Sequence, residues 1–335
     1  MNQNVNQIVT QRHATLQSLK RYQDSLTKDW GLPGHDTGLH SLNLMIGGWT
    51  PTKLTTIAAR SGIGKTALTC SFFNSGRKVV NNRRAEYIFF TWEMHSSYIV
   101  DRHICYKVGV TNKQFKFGPQ LFNNMQKARI NEAYKEAFTL PVSYQQNSTS
   151  IEIIQRLCEK HVERCKQMED EEGVEVVPVF VVDYLGMARF GKDLGLRTYG
   201  IADFMKGMKD LTNQTGGAAC LFAQLAKSAD GKDTPERGDL SDSKSIEDNS
   251  DNLILLHRPE YNNIDVISDP STGLEMPSEN KMLMMQVKGR DFGTGNKIIN
   301  CDMRYMRFWD LEHKFDTPYH ECYSNPEFWK DYFEL

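Results

Sequence analysis

Residues 54–66 read LTTIAARSGIGKT, an apolar strand followed by a glycine-rich loop. Glycines let the main chain approach an anion closely, and a helix that begins after such a loop directs unpaired N–H groups and its positive dipole end at the same point. A lysine in the loop reaches the β- and γ-phosphates of a nucleoside triphosphate, and the next hydroxyl holds Mg²⁺. A chance Gly-Lys-Thr turn is the alternative, but it would need neither the strand before it nor the helical pattern after it. We predict a phosphate loop at residues 59–66, formed by Ala59, Arg60, Ser61, Gly62, Ile63, Gly64, Lys65 and Thr66.

The composition is that of a globular protein with reduced thiols. The 335 residues are 39% hydrophobic and 24% charged, and no apolar stretch reaches the length that spans a bilayer. The N-terminus has no signal-peptide pattern and the seven cysteines include no Cys-x-x-Cys pair, so we expect a cytoplasmic protein without a zinc module. The net charge of −2 excludes no nucleic-acid partner, because a ring or groove can be basic along its channel alone.

Apolar strands alternate with helical patterns along most of the chain. Unbroken apolar strands joined by helices indicate an α/β fold with a mostly parallel sheet, and ligands then lie beyond the carboxyl ends of the strands. The last strands lack long connecting helices and predict an antiparallel extension, whereas the polar residues 259–280 predict a surface loop. The predicted strands are Leu54–Ala58, Tyr87–Thr91, Val179–Val182, Ala219–Ala223, Asn252–His257, Met282–Val287 and Met306–Asp310, and helices are predicted from Thr66, at 94–108, around 151–165 and at 198–214.

The two ends of the chain differ in character from this α/β region. Residues 5–28 form an amphipathic helical pattern whose apolar stripe packs either on the same chain or on a neighbouring copy. Residues 312–335 contain six acids, two bases and seven aromatic side chains, which either dock on a basic partner or cover an edge of the domain. We predict a helix in residues 1–30, an α/β domain at 31–311 and an acidic aromatic tail at 312–335.

A carboxylate follows the strand Val179–Val182 directly, at Asp183. Mg²⁺ takes oxygen ligands, often one carboxylate together with phosphates and water. Parallel strands end at one edge of the sheet, so Asp183 is expected beside Thr66, where the two oxygens would form a metal site. A turn or cap residue is the alternative interpretation, and the phosphate loop favours the metal site.

Two further polar residues follow predicted strands. Glu93 comes after Tyr87–Thr91 and is the candidate that orients and deprotonates a water molecule for attack on the γ-phosphate. Gln224 ends the strand at 219–223 and can sense the γ-phosphate and relay its state to the next loop. The alternatives are a solvated glutamate and a glutamine that is hydrogen-bonded to the main chain.

Lys288 and Arg290 stand two residues apart at the end of another predicted strand. Residues at this spacing face the same side of a strand, so both cations are expected at one anionic site, together with the other strand ends. An arginine from a neighbouring subunit stabilises transition-state charge in phosphoryl transfer. Two exposed bases on an edge strand are the alternative.

The order and the amino-acid sequences of these motifs resemble those of the ATPase domain of the DnaB-type replicative helicases, a branch of the RecA-like fold. The resemblance covers roughly residues 31–311, and its most specific pieces are the Asp-Tyr-Leu and Lys-x-Arg motifs. The matching segments are AARSGIGKT at 58–66, WEM at 92–94, VDYLGM at 182–187, QL at 224–225, SDSKSIED at 241–248 and KGR at 288–290.

The resemblance implies a hexameric ring that binds ATP and Mg²⁺ at the subunit boundaries. Lys65, Thr66, Glu93, Asp183 and Gln224 would belong to one subunit, and Arg290 with Lys288 would reach across from its neighbour. The segment with Ser241, Asp242 and Lys244 would line the channel for single-stranded DNA. The family usually has Arg, Glu and Gly at these three positions, so the positive charge is moved by three residues in this sequence.

Two departures from the family affect the expected partners. The usual N-terminal scaffold domain has no counterpart, so ring closure would rest on the helix at 5–28 or on a partner protein. The tail at 312–335 is not explained by the family pattern, and a primase, a polymerase or a helicase loader would be a partner for it. The short chain also suggests a virus or a mobile element as its source.

The sequence therefore predicts an ATP-hydrolysing replicative DNA helicase that moves along single-stranded DNA. One alternative is an ATPase of the same fold that loads or remodels replication or recombination proteins without unwinding DNA. The other alternative is a recruitment protein that keeps the fold but has no motor activity. Stimulation of ATP hydrolysis by single-stranded DNA separates the recruitment protein from the other two, and unwinding of a forked duplex separates those.

Overall fold

The computed structural model describes residues 10–27, 31–187, 197–226, 232, 234–240, 243–270 and 272–312. The sheet lies in one compact unit, Leu32–Tyr319, and the helix α1, Gln11–Thr27, belongs to a second unit. The predicted helix at 5–28 is confirmed within the described residues, and its Leu16 and Leu19 are exposed. In the described part of the chain, no helix is both long and apolar enough to cross a membrane.

Helices and strands alternate through the larger unit. Its α-helices within the described residues are α2 His40–Ile46, α3 Leu68–Gly76, α4 Ser96–Val108, α5 Asn112–Phe117, α6 Asn124–Ala137, α7 Ile151–Glu172, α8 Arg197–Thr215 and α9 Ser243–Asn249. Its strands are β1 Leu54–Ala59, β2 Arg83–Thr91, β3 Val142–Gln145, β4 Glu175–Asp183, β5 Ala218–Gln224, β6 Asn252–His257, β7 Val266–Ser268, β8 Glu275–Pro277, β9 Lys281–Gly289, β10 Gly295–Asp302 and β11 Arg307–Asp310.

Nine of these strands form one sheet in the order β11-β10-β9-β6-β1-β5-β4-β2-β3. The six strands from β6 to β3 in this order are parallel, and β9, β10 and β11 extend the sheet in antiparallel pairs, as predicted. The strand before the phosphate loop, β1, is buried along its whole length and lies between β5 and β6. All parallel strands therefore end at one edge, which we call the carboxyl edge.

The sheet separates two hydrophobic cores. One core packs α2, α3 and α4 against the sheet, with Phe72 and Phe89 fully buried at its centre. The other packs α7, α8 and α9 against the opposite face, with Ile154 and Phe204 buried between them. Each such side chain contributes roughly 1.5–3 kcal/mol through burial, so the position of the strand ends is fixed by the cores on both faces.

The elements that the sequence pattern missed are short or polar. Strand β3 reads VSYQ and is only half buried, so it lacks an apolar signature. Helix α6 begins at a capping box of Asn123 and Gln126 but buries only Ala133. The predicted surface loop at 259–280 contains the hairpin of β7 and β8. The helix predicted from Thr66 begins at Leu68, after turns closed by hydrogen bonds to the carbonyl of Gly64.

Candidate functional site

The phosphate loop leaves the carboxyl end of β1 and surrounds an open space with its main chain. Gly62 and Gly64 have φ values of +80° and +122°, a conformation that side chains strongly disfavour. The main-chain amides of Gly62, Gly64, Lys65 and Thr66 donate to no group in the described residues. Several free amides in one turn make a binding site for an anion.

Ala59 occupies the position where the loop pattern usually has its first glycine. It is the last residue of β1 and pairs with Gln224 of β5 and Leu256 of β6. The position is extended rather than left-handed, so a methyl group fits and glycine is not required. Ala59 and Ile63 are buried beneath the loop, and Arg60 donates from Nη1 to the carbonyl of Ala226 at 3.1 Å.

A cavity of about 410 Å³ opens above the loop. It brings together residues that are far apart in the sequence but were predicted to meet. The predicted residues that line it are Ser61, Gly62, Gly64, Lys65, Thr66, Glu93 and Gln224. The residues that line it without having been predicted are Ala67, Met94, Arg102, Asn112, Tyr184, Met303, Arg304 and Met306.

Asp183 and Thr66 meet as the sequence predicts. Thr66 donates from Oγ1 to Oδ2 of Asp183 at 2.6 Å, and the other carboxylate oxygen, Oδ1, is buried and has no partner in the described residues. Burial raises the pKa of Asp183 to about 6, and the negative charge of Glu93 also raises it. The hydrogen bond from Thr66 acts in the opposite direction and lowers this pKa. A buried carboxylate oxygen without a partner, next to a hydroxyl, is a donor set that fits a hard cation such as Mg²⁺.

Lys65 holds its ammonium group within the loop. Its Nζ donates to the carbonyls of Ala59 at 3.0 Å and Arg60 at 3.3 Å. Burial lowers the pKa of Lys65, while Asp183 and Glu93 act in the opposite direction. The ammonium is thus a partly desolvated cation between the strand end and the two acidic groups, in position to meet phosphate oxygens.

Glu93 is carried by a turn that is fixed on both sides. Thr91 donates from Oγ1 to the carbonyl of Met94 at 2.7 Å, and Trp92 donates from its main-chain N–H to the carbonyl of Asp183 at 3.1 Å. Glu93 itself is exposed to the cavity. A carboxylate held by a rigid turn beside the phosphate loop can accept a proton from a bound water molecule.

Gln224 also lines the cavity, at the carboxyl end of β5. The next residue, Leu225, donates from its N–H to the carbonyl of Ala59 at 3.1 Å and forms an isolated β-bridge with Leu240. One short segment therefore connects the cavity, the phosphate loop and the residue that precedes Ser241.

Arg102 is one of two cations at the cavity that the sequence did not predict, the other being Arg304. Arg102 lies on α4, lines the cavity and has a buried Nε with no partner in the described residues. Its charge acts to lower the pKa of Asp183, which places it near the predicted metal site. The helical pattern at 94–108 predicted α4, but only the packing of α4 over the loop shows that Arg102 faces the site.

A turn between β10 and β11, residues 303–306, covers the cavity, and we call it the roof turn. Met303 lies so close to Gly64 that a Cβ at Gly64 would be 2.7 Å from its Cε. Arg304 is paired with Asp302 at 2.6 Å and borders the cavity with Met306. Strand β10 was not predicted, so no sequence signal connected this turn with the phosphate loop, which lies far away along the chain.

Lys288 and Arg290 lie at the opposite edge of the sheet, and the prediction that they join the other strand ends was wrong. Strand β9 runs antiparallel to β6, and its last residue, Gly289, pairs with Asn252, the first residue of β6. The end of β9 is therefore at the edge where β1 begins. A six-residue strand spans roughly 17 Å, so neither cation can reach the phosphate loop of its own chain.

The two cations face one place, as their spacing predicts. Lys288 donates from Nζ to the carbonyl of Glu247, and Arg290 donates from Nη2 to the carbonyl of Asp248 at 3.4 Å. Both carbonyls belong to the last turn of α9, and Lys244 is exposed in the first turn of this helix. Ser241 and Asp242 lie outside the described residues, so their predicted place beside DNA stays a prediction.

We expect Asp183→Asn to stabilise the protein in the absence of nucleotide and metal at neutral pH. The folded-state pKa of about 6 lies above the ordinary value of 3.8, so this carboxyl favours folding below pH 3.8 and loses that contribution as the pH rises through 6. The loss is at most about 3 kcal/mol at pH 7.5, and asparagine avoids it.

Urea unfolding of both proteins from pH 7.5 to pH 4.5 measures this effect. The gain from Asp183→Asn should be largest at pH 7.5 and shrink toward pH 4.5, whereas Asp210→Asn on the exposed face of α8 should change nothing. If Asp183→Asn is less stable than the native protein at pH 7.5, burial of the ionised Asp183 carboxylate does not destabilise the folded state.

Comparisons with known proteins agree with this architecture. A family model described as DnaB-like helicase C-terminal domain matches residues 34–310. The chain is similar to replicative DNA helicase DnaB of Geobacillus stearothermophilus, with 23% identity over 93% of this chain and 63% of that protein. It is also similar to replicative DNA helicase DnaC of Bacillus subtilis, with 23% identity over 94% of this chain and 63% of that protein. The chain thus spans less than two thirds of the length of these relatives.

Solved structures show the same fold at low sequence identity. One solved ATPase domain superposes with a TM-score of 0.74 and 18% identity, over 91% of this chain and all of that domain. A DnaB-like replicative helicase, studied with its interactions with primase, superposes with a TM-score of 0.73 and 19% identity, over 88% of this chain and 67% of that one. With the family model spanning most of its length, this chain belongs to the family of DnaB-like helicase C-terminal domains.

Proposed function

We propose that this protein is an ATP-driven DNA helicase motor that works as a ring of identical subunits on single-stranded DNA. The observation that carries the proposal is the division of the candidate site between two edges of one sheet. The cavity with Lys65 and Thr66 lies at the carboxyl edge, where Thr66 contacts Asp183, and Arg290 lies at the other edge. A complete site then needs two copies of the chain arranged head to tail, which is a heterologous contact that closes into a ring.

The nucleotide would lie in the cavity with its phosphates on the loop. Three kinds of group would meet the phosphate oxygens. They are the main-chain amides of the loop, the ammonium of Lys65 and the guanidinium of Arg102. Thr66 and Asp183 would hold Mg²⁺, which neutralises charge on the β- and γ-phosphates when it is bound. These residues bind and orient the triphosphate, and the roof turn excludes water from the covered side of the cavity.

Hydrolysis would then depend on the groups beyond the loop. Glu93 would orient the attacking water and accept its proton, and Gln224 would contact the γ-phosphate. Arg290 of the adjacent subunit would stabilise the charge that develops on the transferred phosphoryl group. Positioned charge of this kind supplies most of the catalysis in phosphoryl transfer.

Motion of DNA would be coupled to this chemistry through the segment after Gln224. Leu225 pairs with Leu240, and the segment 241–244 follows at once and leads into α9. A change in the γ-phosphate that shifts Gln224 would thus reach, through the bridge of Leu225 with Leu240, the start of the segment that leads to Lys244. Further copies of the chain and single-stranded DNA are the proposed partners, and contacts of the tail 312–335 with primase, polymerase or a loader stay predictions.

Binding to single-stranded DNA should show that Lys244 neutralises about one phosphate. The Lys244→Ala protein should lose roughly one unit from the slope of log affinity against log salt, because about one counterion fewer is released. Fluorescence anisotropy with a labelled oligonucleotide at several salt concentrations measures the slope. Lys166→Ala, which removes an exposed lysine from α7, is the matched control and should keep the native slope. A native slope for a folded Lys244→Ala protein would remove this helix from the DNA path.

Unwinding of a forked duplex tests the proposed function as a whole. The protein should separate the strands with ATP and Mg²⁺, and it should not do so with a non-hydrolysable analogue. ATP hydrolysis that DNA stimulates, without strand separation, would instead indicate an ATPase that loads or remodels other proteins. No hydrolysis at all in the presence of DNA would indicate a recruitment protein on the same fold.

A further inference from the structure

Asp251 is a buried carboxylate that the proposed chemistry does not use. It lies between the end of α9 and the start of β6, at the edge of the sheet opposite the phosphate loop. Its side chain is only 2% exposed, and its main-chain N–H donates to the carbonyl of Leu54 at 2.8 Å. A charged group this deeply buried needs strong partners, because unpaired burial of a carboxylate is costly.

Both oxygens of Asp251 are engaged by named partners. Oδ2 accepts from the N–H of Leu54 at 2.8 Å and from Nζ of Lys209 at 2.7 Å. Oδ1 lies 3.2 Å from Nη1 of Arg290, and the Arg290 N–H donates to the Asp251 carbonyl at 3.1 Å. Asp251 thus fixes both the main chain and the side chain of Arg290.

Arg290 is anchored on one side and open on the other. Its side chain is 49% exposed, with Nη1 near Asp251 and Nη2 near the carbonyl of Asp248 at 3.4 Å. A guanidinium has five N–H donors in a fixed plane, so two anchors leave donors available for an outside anion. Holding a flexible side chain in this way removes most of its rotamer search before it meets a ligand.

We propose that Asp251 is a positioning residue, which aims Arg290 at the phosphate site of the adjacent subunit. This proposal rests on the proposed function, because it needs Arg290 to act across a subunit boundary. Asp251 acts through Arg290 alone and touches no nucleotide. Its contact with the N–H of Leu54 gives the arginine a rigid base in the sheet, while Lys209 of α8 balances part of its charge.

A purely structural role of Asp251 predicts a different result from a positioning role. Through Leu54, Asp251 also supports β1, which ends in the phosphate loop of its own chain. Structural damage in an Asp251 variant would therefore harm the subunit's own loop, whereas a positioning role harms only the neighbour's site. The two roles differ in which subunit of a boundary carries the defect.

Mixed rings separate these roles. The reference mixture combines Lys65→Ala subunits, which can only lend Arg290, with Arg290→Ala subunits, which can only use their own loop. In the first test Asp251→Asn is added to the Lys65→Ala chain, and in the second it is added to the Arg290→Ala chain. Asparagine keeps an acceptor for Leu54 and removes the charge that holds the arginine.

We expect ATP hydrolysis to fall by roughly ten- to a hundredfold in the first test, because a displaced arginine no longer meets the phosphate. In the second test hydrolysis should stay within about twofold of the reference mixture. Equal loss in both tests, or no loss in either, would overturn the role of Asp251 while leaving the proposed function intact. A reference mixture without hydrolysis would overturn the action of Arg290 across the boundary, and the role of Asp251 with it.

A second variant is needed because Asp251→Asn leaves the ammonium of Lys209 without its carboxylate partner, which can destabilise the fold. Lys209→Met combined with Asp251→Asn removes both charges and should show the same asymmetry between the two tests. Lys209→Met alone keeps the pair of Asp251 and Arg290, so it should leave both mixtures close to the reference. A loss confined to the first test with Lys209→Met alone would assign the positioning role to Lys209 instead, and would overturn the proposal.

Discussion

Arg290→Ala should bind ATP normally and hydrolyse it on the order of 10³-fold more slowly, as with other arginines that act across a boundary. The phosphate loop lies at the other edge of the sheet, so the substitution leaves the subunit's own cavity intact. The lost guanidinium would have met the charge that forms on the phosphoryl group of the neighbouring site.

Binding of a fluorescent ATP analogue and steady-state turnover, measured on the same preparation, check this prediction. Arg156→Ala, which removes an exposed arginine from α7, should leave both quantities unchanged. Normal turnover by Arg290→Ala would mean that its contacts with Asp251 and the end of α9 are its whole role, and that the boundary needs no arginine at this position.

Glu93→Gln should keep ATP and Mg²⁺ binding and lose roughly 10²–10⁴-fold in turnover. Glutamine retains the size of the side chain and the turn held by Thr91, but it cannot accept a proton from water. Single-turnover measurements should show slow cleavage after normal binding, and Glu159→Gln on the exposed face of α7 is the control. If the variant turns over at the native rate, the proton goes elsewhere and Glu93 is only a polar residue at the rim of the cavity.

The sequence predicted the parallel part of the sheet because its strands are buried on both faces. Strand β6 reads NLILLH, with four consecutive apolar residues and every position buried, and its predicted bounds, Asn252–His257, match the structure. The half-buried β3 and the mixed β10 have polar faces and give no such signal. Pairing with the edge of a buried sheet, rather than local composition, makes these segments strands.

The candidate site was predictable where its residues follow strand ends. Thr66 and Asp183 meet because β1 and β4 run in the same direction and end at the same edge. Arg102 and the roof turn were missed because they reach the cavity by the packing of whole elements over the loop. Nothing in their local sequence marks them as parts of a binding site.

The error at Lys288 and Arg290 has a topological cause. Lys288 and Arg290 both contact carbonyls of the last turn of α9, so they face one place as predicted, but a sequence pattern does not show in which direction a strand runs. The antiparallel pairing of β9 with β6 moves both cations to the edge where the parallel strands begin. This placement removes Arg290 from its own phosphate loop and makes a contribution from a second copy of the chain the natural use of this side chain.

Hydrolysis of ATP by a mixture of Lys65→Ala and Arg290→Ala subunits tests the central claim, that each site is shared between two copies. Each variant alone should be inactive, the first because it cannot hold phosphate and the second because it lends no arginine. In an equal mixture, confirmed by native mass spectrometry to contain both subunits, about a quarter of the boundaries of a head-to-tail ring pair an intact loop with an intact arginine. We predict that about a quarter of the native ATPase activity returns, if the boundaries act independently. Activity that stays at the level of the separate variants in such mixed rings would contradict a site completed across the boundary.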